Sequence, residues 1–372
     1  MQAEASCECY GRAGGSFGSP RRYIHFMKAI QVTRQGTPVA DAVRLTKDCP
    51  TPEPRAGQAL VRTEASALNH LDLWVGRGLP GLDTVFPAVT GSDGAGVVQS
   101  VGPGVDTAWV GRRVLLNAAV MQPQATRPGE RPAGEDIVMI GEHTPGTMAE
   151  FFVAPVTNLL EIGDLDPVQA TAFGLTHLTA WRMLVTRAGV QPGQTVLVTG
   201  IGGGVALAAL GLARHLGCHV IVTSRHASKL ERAKVLGAAE GILDDGGDWS
   251  RAVRSATGKR GVDVVIDSIG GRLLGPCIRS LARGGCLVTC GCTAGATGEL
   301  DLTRVFWNQL RVLGSTMGTM EEFRAVTSLL QRGLVRPVVD AVVPPDRGAE
   351  AYGRLESGAQ FGKVVVDWRQ GA

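Results

Sequence analysis

The chain of 372 residues is long enough for two domains, at about 150 residues per domain. Hydrophobic residues make up 44% and charged residues 19%, a composition that supports a sizeable core and excludes a wholly disordered chain. The formal net charge of +3, with no long run of one sign, gives no electrostatic footprint for nucleic acid or for an anionic membrane. Eight cysteines in a chain this long, without a secretory segment, do not predict a disulfide scaffold, so we expect a cytoplasmic protein.

The first part of the chain predicts a short tail and then a β-rich domain. Residues 1–26 show no apolar periodicity, and we expect them to form a disordered tail. From 27 to 162 the strands are short and turns are frequent. Gln58–Thr63 and Asp93–Ser100 alternate polar and apolar residues, as half-buried strands do. This pattern predicts an all-β, barrel-like domain that contains a long polar loop over residues 117–136.

From residue 163 the pattern changes to alternating strands and helices, which predicts a doubly wound parallel sheet and an α/β fold. The predicted strands are Thr195–Gly200, His219–Ser224, Gly241–Leu243, Val262–Ser268, Gly285–Gly291 and Arg311–Ser315. The predicted helices are Gly203–Leu216, Lys229–Gly237, Trp249–Thr257 and Gly271–Leu281. The last segment, 318–372, carries a predicted helix (Glu321–Gln331) and two strands (Val335–Val343 and Gly362–Asp367). It has no core of its own, so we expect it to pack back on the first domain.

One uncharged stretch, Thr195–Ala213, has the 19 residues needed for a membrane span. Five of its residues are glycines, and four of them lie between Gly200 and Gly204. A strand, a glycine turn and a helix explain this stretch better than a transmembrane helix. We therefore expect no membrane association.

The glycine turn of this stretch has the context that the dinucleotide fingerprint requires. It joins a predicted strand to a predicted helix and reads Gly200-Ile-Gly202-Gly203-Gly204. Glycine allows the strand to turn tightly and lets backbone N–H groups approach a pyrophosphate, which a helix N-terminus stabilises through its dipole. Ala206 stands where a third glycine usually packs the helix against the sheet, and alanine is tolerated there.

The end of the second parallel strand indicates which dinucleotide is bound. An NAD site usually has Asp or Glu here to accept a hydrogen bond from the ribose 2′-hydroxyl. This strand ends with Ser224 and Arg225 instead, and Lys229 follows. A serine hydroxyl can donate to a phosphate, and Arg and Lys can pair with it. We therefore predict NADP(H) as the cofactor.

With these motifs in view, the chain resembles the medium-chain dehydrogenase/reductase family from Met27 to about Trp368. The stretches that carry the resemblance, besides the glycine turn, are Ala67–Leu73, Pro87–Val98, Gly102–Val105, Gly141–Glu150, Leu178–Trp181 and Phe361–Val366. The resemblance implies a GroES-like catalytic domain over 27–162 and a Rossmann NADP-binding domain over 163–317. It also implies a cleft between them for the nicotinamide and the substrate.

The resemblance also shows where a catalytic zinc would be bound. Zinc-dependent members of the family place a cysteine at the position of Asn69, a His-Glu pair at Ser92 and Asp93, and a further ligand near Leu175. Of these positions only Asp93 could bind a metal, and one carboxylate does not make a tetrahedral site. We therefore expect no catalytic metal.

A structural zinc is not expected either. Family members that have one carry four cysteines in a lobe that corresponds to about 117–140, and this chain has none there. The alternative is an improvised metal site of His70, Asp72 and Asp93. His70 and Asp72 are more simply explained as a turn and its capping residues.

The chemistry that remains without zinc favours an acceptor that is already electrophilic. Zinc polarises an alcohol or carbonyl oxygen in this family, and without it nothing stabilises an alkoxide. Quinones and α,β-unsaturated carbonyls delocalise the added negative charge themselves. The chain is accordingly similar to the zinc-free quinone oxidoreductase and enone reductase branch, and we expect an NADPH-dependent reductase of such acceptors.

The resemblance assigns roles to residues of this chain. Asn69 is expected beside the nicotinamide ribose or the substrate carbonyl, where its amide can hydrogen-bond a developing oxyanion, and Thr179 at the nicotinamide end. The alternatives are that Asn69 is a turn residue and that Thr179 caps or packs a helix. The remaining cofactor contacts implied are Gly203, Gly204, Val205, Ser268, Ile269, Gly291, Cys292 and Lys363.

The sequence departs from one branch of the family. Enoyl-thioester reductases use a tyrosine proton donor in the loop after the Asn-x-x-Asp stretch. The aligned residues Trp74–Leu82 contain no tyrosine, which argues against a fatty-acid enoyl reductase and leaves the proton donor unidentified.

Two other functions stay open from the sequence. One is an alcohol or aldehyde dehydrogenase of the same family. The other is an NADPH-binding sensor or structural protein without turnover. The family implies a homodimer or homotetramer, formed through the edge of the Rossmann sheet if Arg311–Ser315 is that edge.

Overall fold

The structure, a computed structural model, describes residues 25–79, 81–122 and 136–370. Most of the expected disordered tail falls on residues 1–24, outside the described residues. The same holds for residues 123–135 of the expected polar loop. The six cysteines within the described ranges are all free.

The first part of the chain is built mainly of short antiparallel strands. Its elements are β1 (Phe26–Val32), β2 (Val43–Pro50), β3 (Gln58–Ala67), α1 (His70–Arg77), β4 (Ala88–Val89), β5 (Asp93–Val101), β6 (Arg113–Leu116), β7 (Ala119–Gln122), β8 (Asp136–Met139), β9 (Phe151–Pro155) and β10 (Leu159–Glu161). Strands β10, β6, β5 and β3 follow one another in the main sheet, and β9 also pairs with β3. A smaller sheet has the order β2-β1-β4, and β7 pairs with β8. We call this part the barrel domain.

The second part alternates helices and strands. Its elements are α2 (Pro167–Trp181), β11 (Thr195–Val198), α3 (Gly204–His215), β12 (His219–Ser224), α4 (Ala227–Val235), β13 (Glu240–Leu243), α5 (Ser250–Ala256), β14 (Val262–Asp267), α6 (Leu274–Ser280), β15 (Leu281–Thr289), α7 (Leu302–Trp307), β16 (Arg311–Gly314), α8 (Met320–Gln331), β17 (Val339–Val343), α9 (Gly348–Glu356) and β18 (Lys363–Asp367).

Six of these strands form one parallel sheet in the order β13-β12-β11-β14-β15-β16. The predicted α/β fold with a doubly wound sheet is therefore confirmed. The four inner strands, β11, β12, β14 and β15, are mostly buried apolar runs, as parallel strands covered by helices on both faces must be. The strand order reverses between β11 and β14, and ligands of such sheets bind in the crevice at that point. We call this part the Rossmann domain.

The end of the chain returns to the barrel domain. Strand β18 pairs antiparallel with β3, and β17 pairs parallel with β18, so both extend the main sheet of the barrel. This return brings Lys363, the first residue of β18, next to Asn69 at the start of α1. The hydrogen bond between them joins residues that are 294 positions apart.

Helix α2 lies where the two domains meet. It contacts β3 and β5 of the barrel domain on one side and α3 of the Rossmann domain on the other. Twelve of its fifteen residues are buried as a result. Among all helices within the described ranges, none has the combination of length and apolar character that crossing a membrane requires.

Candidate active site

A cavity of about 620 Å³ lies between the barrel domain and the Rossmann domain. It is lined by thirteen of the fourteen residues that the sequence singled out for the site. Those residues are Asn69, Thr179, Gly200, Gly203, Gly204, Val205, Ser224, Arg225, Lys229, Ser268, Ile269, Gly291 and Lys363. The exception is Cys292, which is exposed, whereas Cys290 lines the cavity. Strand β15 ends at Thr289, so the strand alternation that would have turned Cys292 inward no longer applies there.

The turn between β11 and α3 presents bare backbone to the cavity. Gly200 and Gly202 have φ angles of +64° and +119°, which L side chains rarely adopt. Gly203 is the N-cap of α3, and no side chain caps this helix. The first N–H groups of a helix have no partner within the helix, and its dipole favours an anion there. The turn therefore fits the pyrophosphate of a dinucleotide.

Basic side chains lie beyond this turn, at the end of β12. Ser224 is buried, and its Oγ accepts a hydrogen bond from the backbone N–H of His226 at 3.1 Å. Arg225 is exposed at the cavity edge. Lys229 donates from Nζ to the carbonyl of Gly358 at 2.7 Å, and burial lowers the pKa of its amine. This end of the cavity offers a hydroxyl and two cations, without an acidic residue at the end of β12.

The sequence analysis did not predict a further ion pair at this end of the cavity. Arg272 donates to both carboxylate oxygens of Asp244, at 2.8 and 3.1 Å, and both residues line the cavity. Arg272 directly follows two glycines after β14, at the switch point of the sheet. A basic residue at that place was the signal that could have identified it.

Three buried polar groups meet where α1, β5 and β18 come together, beside the start of α3: a Cβ at Gly204 would lie 3.0 Å from Cδ of Lys363. Lys363 donates from Nζ to Oδ1 of Asn69 at 2.6 Å and to Oδ2 of Asp93 at 2.8 Å. The Asn69 Nδ2 donates to the same Asp93 oxygen at 2.9 Å. Oδ1 of Asp93 accepts from the backbone N–H of Leu175 at 2.7 Å. We call Asn69, Asp93 and Lys363 the buried triad.

The buried triad gives Asn69 an arrangement that differs from the expected one. The sequence suggested that its amide hydrogen-bonds an oxyanion on the substrate. In the structure the amide N–H groups are directed to Asp93 and, at 3.4 Å, to the carbonyl of Ala67. The ammonium of Lys363 has a third N–H beyond the two that it donates to the triad, and Lys363 lines the cavity.

The positions where zinc ligands were considered come together here, but their donor set does not fit a metal ion. Ser92 turns its hydroxyl to the carbonyl of Ile140 at 2.8 Å. Asp93 already holds an ammonium cation. Within the described part of the chain, no three His, Cys, Asp or Glu side chains cluster so that they could hold a metal. A tetrahedral zinc site needs three or four such ligands.

The first turn of α1 holds the backbone of Asn69 in place. Asp72 is fully buried and accepts hydrogen bonds from the backbone N–H groups of Asn69 and Gly91, both at 2.7 Å. Burial raises the pKa of its carboxyl to about 6. Asp72 is thus the capping residue that the sequence suggested.

His70 lies beside the buried triad and lines the cavity. Burial, reinforced by the charges of Lys363 and Arg77, lowers its pKa to about 4. His177 on α2 is stacked on Phe173, and burial lowers its pKa to about 3. Both imidazoles are therefore neutral near pH 7.

Apolar side chains shape the remaining wall of the cavity, which we call the acceptor wall, and the sequence did not reveal them. They are Leu71, Trp74, Met139, Leu175 and Met317. Thr179 adjoins this wall, with its hydroxyl 4.0 Å from the sulfur of Met317. An apolar wall next to a few polar groups is typical of a binding site for a small molecule.

Two family models match the chain. One, described as "Alcohol dehydrogenase GroES-like domain", matches residues 55–164. The other, described as "Zinc-binding dehydrogenase", matches residues 204–332. Together they cover most of the barrel domain and most of the Rossmann domain.

Curated relatives match over nearly their whole length. The zinc-type alcohol dehydrogenase-like protein YogA of Leptosphaeria maculans is 30% identical over 337 residues, which are 85% of this chain and 92% of that protein. The quinone oxidoreductase of Rattus norvegicus is 26% identical over 348 residues, which are 91% of this chain and 97% of that protein.

Solved structures show the same fold. An NAD-dependent alcohol dehydrogenase is 37% identical with a TM-score of 0.82, over 92% of this chain and 99% of that one. A variant of the crotonyl-CoA carboxylase/reductase AntE in complex with NADP is 25% identical with a TM-score of 0.83, over 92% of this chain and 95% of that one. These neighbours include both NAD and NADP proteins.

Proposed function

Since the chain belongs to the medium-chain dehydrogenase/reductase superfamily, we propose that it is an NADPH-dependent reductase of quinones or α,β-unsaturated carbonyls that works without zinc. The superfamily consists of oxidoreductases with a nicotinamide cofactor, and the cavity between the two domains is the place where cofactor and acceptor would meet.

The observation that carries this proposal is the ion pair between Lys363 and Asp93. The ammonium of Lys363 lies 2.8 Å from Oδ2 of Asp93, the only residue that could bind a metal among the positions aligned with zinc ligands. An alkoxide would find no Lewis acid at such a site, which disfavours the oxidation of simple alcohols. A quinone or enone spreads the incoming charge over its own conjugated system and needs only a hydrogen-bond donor at its oxygen.

Different residues of the cavity bind different parts of the cofactor and the acceptor. Bare backbone at Gly203 and Gly204 holds the pyrophosphate, and Ser224 and Arg225 hold the ribose phosphate. The cofactor, when bound, supplies the hydride. The third N–H of Lys363 is available to the acceptor oxygen, and the acceptor wall excludes water from the reacting carbon atoms.

The decisive experiment for this function is an acceptor panel with metal-stripped protein. We expect oxidation of NADPH by quinones or enones, at a rate that chelators do not change. Activity that is limited to aldehydes and returns only with added zinc would replace this proposal with an alcohol dehydrogenase. NADPH binding without turnover of any acceptor would indicate a sensor or structural protein.

Arg225→Ala tests the choice of cofactor. Loss of the guanidinium removes a charge-assisted hydrogen bond to the 2′-phosphate, so we expect kcat/KM for NADPH to fall by about 10- to 100-fold. The value for NADH should change by less than about threefold, because NADH has no phosphate there. Arg251→Ala, an exposed arginine on α5, serves as the control. Equal losses with NADPH and NADH would contradict the NADP assignment.

We also propose that the protein is a homodimer or homotetramer. The outer strand β16 and the helix α7 expose Leu302, Phe306, Trp307 and Val312 together, by 40% to 69%. Such a cluster beside an open strand edge favours pairing with a second copy. Trp307→Glu should therefore reduce the mass measured by light scattering towards the 38.9 kDa of one chain. An unchanged mass would show that the contact lies elsewhere.

A further inference from the structure

Glu142 lines the same cavity and has no role in the function described so far. We propose, on the basis of the proposed function, that its carboxyl group donates the proton that completes the reduction of an enone. Three acidic side chains line the cavity: Glu142, Asp244 and Glu356. Asp244 is held by Arg272, and Glu356 pairs with Arg77 at 2.7 Å. Glu142 differs from both because no lysine or arginine among the described residues pairs with it.

The backbone around Glu142 is anchored to the buried triad. Gly141 has a φ angle of +91°, and a Cβ there would lie 2.4 Å from the carbonyl oxygen of Gly91. The preceding residue, Ile140, accepts the hydroxyl hydrogen bond of Ser92. Since Ser92 directly precedes Asp93, the turn that carries Glu142 is fixed against the chain that carries the triad.

A second set of contacts connects Glu142 with the acceptor wall. The backbone N–H of Glu142 donates to the carbonyl of Met139 at 3.3 Å. Met139 belongs to the same hydrophobic cluster as Met317, whose sulfur lies beside the hydroxyl of Thr179. Glu142 is therefore held at the acceptor end of the cavity, away from the basic groups at the end of β12.

The surroundings keep this carboxyl group protonated more readily than an exposed one. Burial raises its pKa, and the side chain is 19% exposed. His143 opposes the effect, but its Nδ1 accepts the backbone N–H of Met139 at 3.1 Å and lies 3.9 Å from the carboxylate. The other titratable groups at this end are His70 on α1, Lys363 on β18 and Asp93 on β5.

Other groups at this end are poorer proton donors to carbon. His70 has a pKa of about 4, because burial and the charges of Lys363 and Arg77 disfavour its protonated form. The ammonium of Lys363 is bonded to Asn69 and Asp93, and in the proposed function its third N–H serves the acceptor oxygen rather than the α-carbon. The hydroxyl of Thr179 is too weak an acid. Tyr352 is fully buried, hydrogen-bonded to Thr90, and does not line the cavity.

The β-carbon of the enone gains a hydride from the reduced nicotinamide, and the electron pair of the C=C bond moves to give an enolate. The O–H bond of Glu142 then breaks, and its proton forms the new C–H bond at the α-carbon. The carboxylate that remains is reprotonated from water, while the oxidised cofactor leaves.

The experiment compares Glu142→Gln with wild type on an enone and on a quinone. Protonation of carbon is slow without an acid, so we expect kcat on the enone to fall by about 100-fold or more. A quinone receives its protons on oxygen, where water can supply them, so quinone turnover should fall by no more than about threefold. Glu161→Gln makes the same change at an exposed ion pair of the barrel domain and should affect neither reaction.

Two further measurements distinguish proton donation from a structural role. In D₂O, wild type should place deuterium on one face of the α-carbon, and Glu142→Gln should lose that selectivity. In the protein without cofactor, difference infrared spectra should show a protonated carboxyl band that titrates and that is absent from Glu142→Gln.

The outcomes separate this inference from the proposed function. Full enone activity and unchanged selectivity in Glu142→Gln would overturn the inference and leave the reductase intact. Equal losses on enone and quinone would also overturn it, because they would indicate a structural or binding role. A wild-type protein that reduces neither acceptor would overturn the proposed function itself.

Discussion

Lys363→Met should lower the free energy of unfolding by about 3–5 kcal/mol, which is a large fraction of the stability of a typical protein. The reason is the buried triad. Lys363 and Asp93 are only 4% and 0% exposed, so removal of the ammonium leaves a buried carboxylate without its cation. Asn69 would also lose the donor to its Oδ1. Urea-induced unfolding followed by circular dichroism measures the change.

Two control variants make this result specific. Lys234→Met removes the lysine of an exposed ion pair with Glu231 and should cost less than about 1 kcal/mol. Adding Asp93→Asn to Lys363→Met removes the uncompensated charge and should recover part of the lost stability. If Lys363→Met is no more harmful than Lys234→Met, the triad is not the buried ion pair described above.

Gly203→Val should abolish most cofactor affinity without harming the fold. Gly203 has φ and ψ of −74° and 154°, which valine adopts readily. The nearest atom to a Cβ at this position is the carbonyl oxygen of Gly200, 3.8 Å away, so the protein itself has room for a Cβ. This open space lies in front of the N-terminus of α3. A side chain there would displace the pyrophosphate and its charge-assisted hydrogen bonds, worth about 1.5–3 kcal/mol each.

The corresponding measurement is direct binding of NADPH by fluorescence titration. The loss of two such hydrogen bonds corresponds to an increase in Kd of about 100-fold or more. Gly36→Val is the matched control, because a Cβ at Gly36 also meets no atom within 4 Å and Gly36 does not line the cavity. Wild-type affinity in Gly203→Val would mean that the cofactor does not use this helix.

The sequence was most informative where local pattern decides the structure. The strand His219–Ser224 was predicted with the bounds that the structure gives, because it is an apolar run between a turn and a basic cluster. Strand Val262–Asp267 ends one residue earlier than the predicted Val262–Ser268. The glycine turn was recognisable because only a few residues must supply positive φ angles and bare backbone, and both requirements are local.

Helix α2 was missed for a physical reason. A helix that is buried on one side alternates apolar and polar residues with a period of 3.6, and that period is what sequence reasoning detects. Pro167–Trp181 is buried against both domains, so it is apolar on nearly every side and shows no such period. The start of strand β17 was predicted at Val335 instead of Val339. The reason is that Val335 is buried in the turn before the strand and so looks like part of it.

The candidate site was only partly accessible from the sequence. The motifs identified Asn69, Asp93 and Lys363 one by one. They did not predict the hydrogen bonds that connect these three side chains. Lys363 and Asp93 are 270 residues apart, and nothing near either residue encodes the contact. The same holds for Glu142, whose place beside the cavity depends on how Gly141 meets Gly91.

The return of the chain end to the barrel has a consequence for the order in which the protein can mature. Val366 of β18 pairs with Ser66 of β3, so the main sheet lacks an inner strand until the chain has been synthesised beyond the Rossmann domain. During synthesis on the ribosome, the edge of β3 that pairs with β18 stays unpaired while the whole Rossmann domain is made. The buried triad can therefore form only after the Rossmann domain has been synthesised, and a chain that already has its glycine turn still lacks Lys363 at that stage.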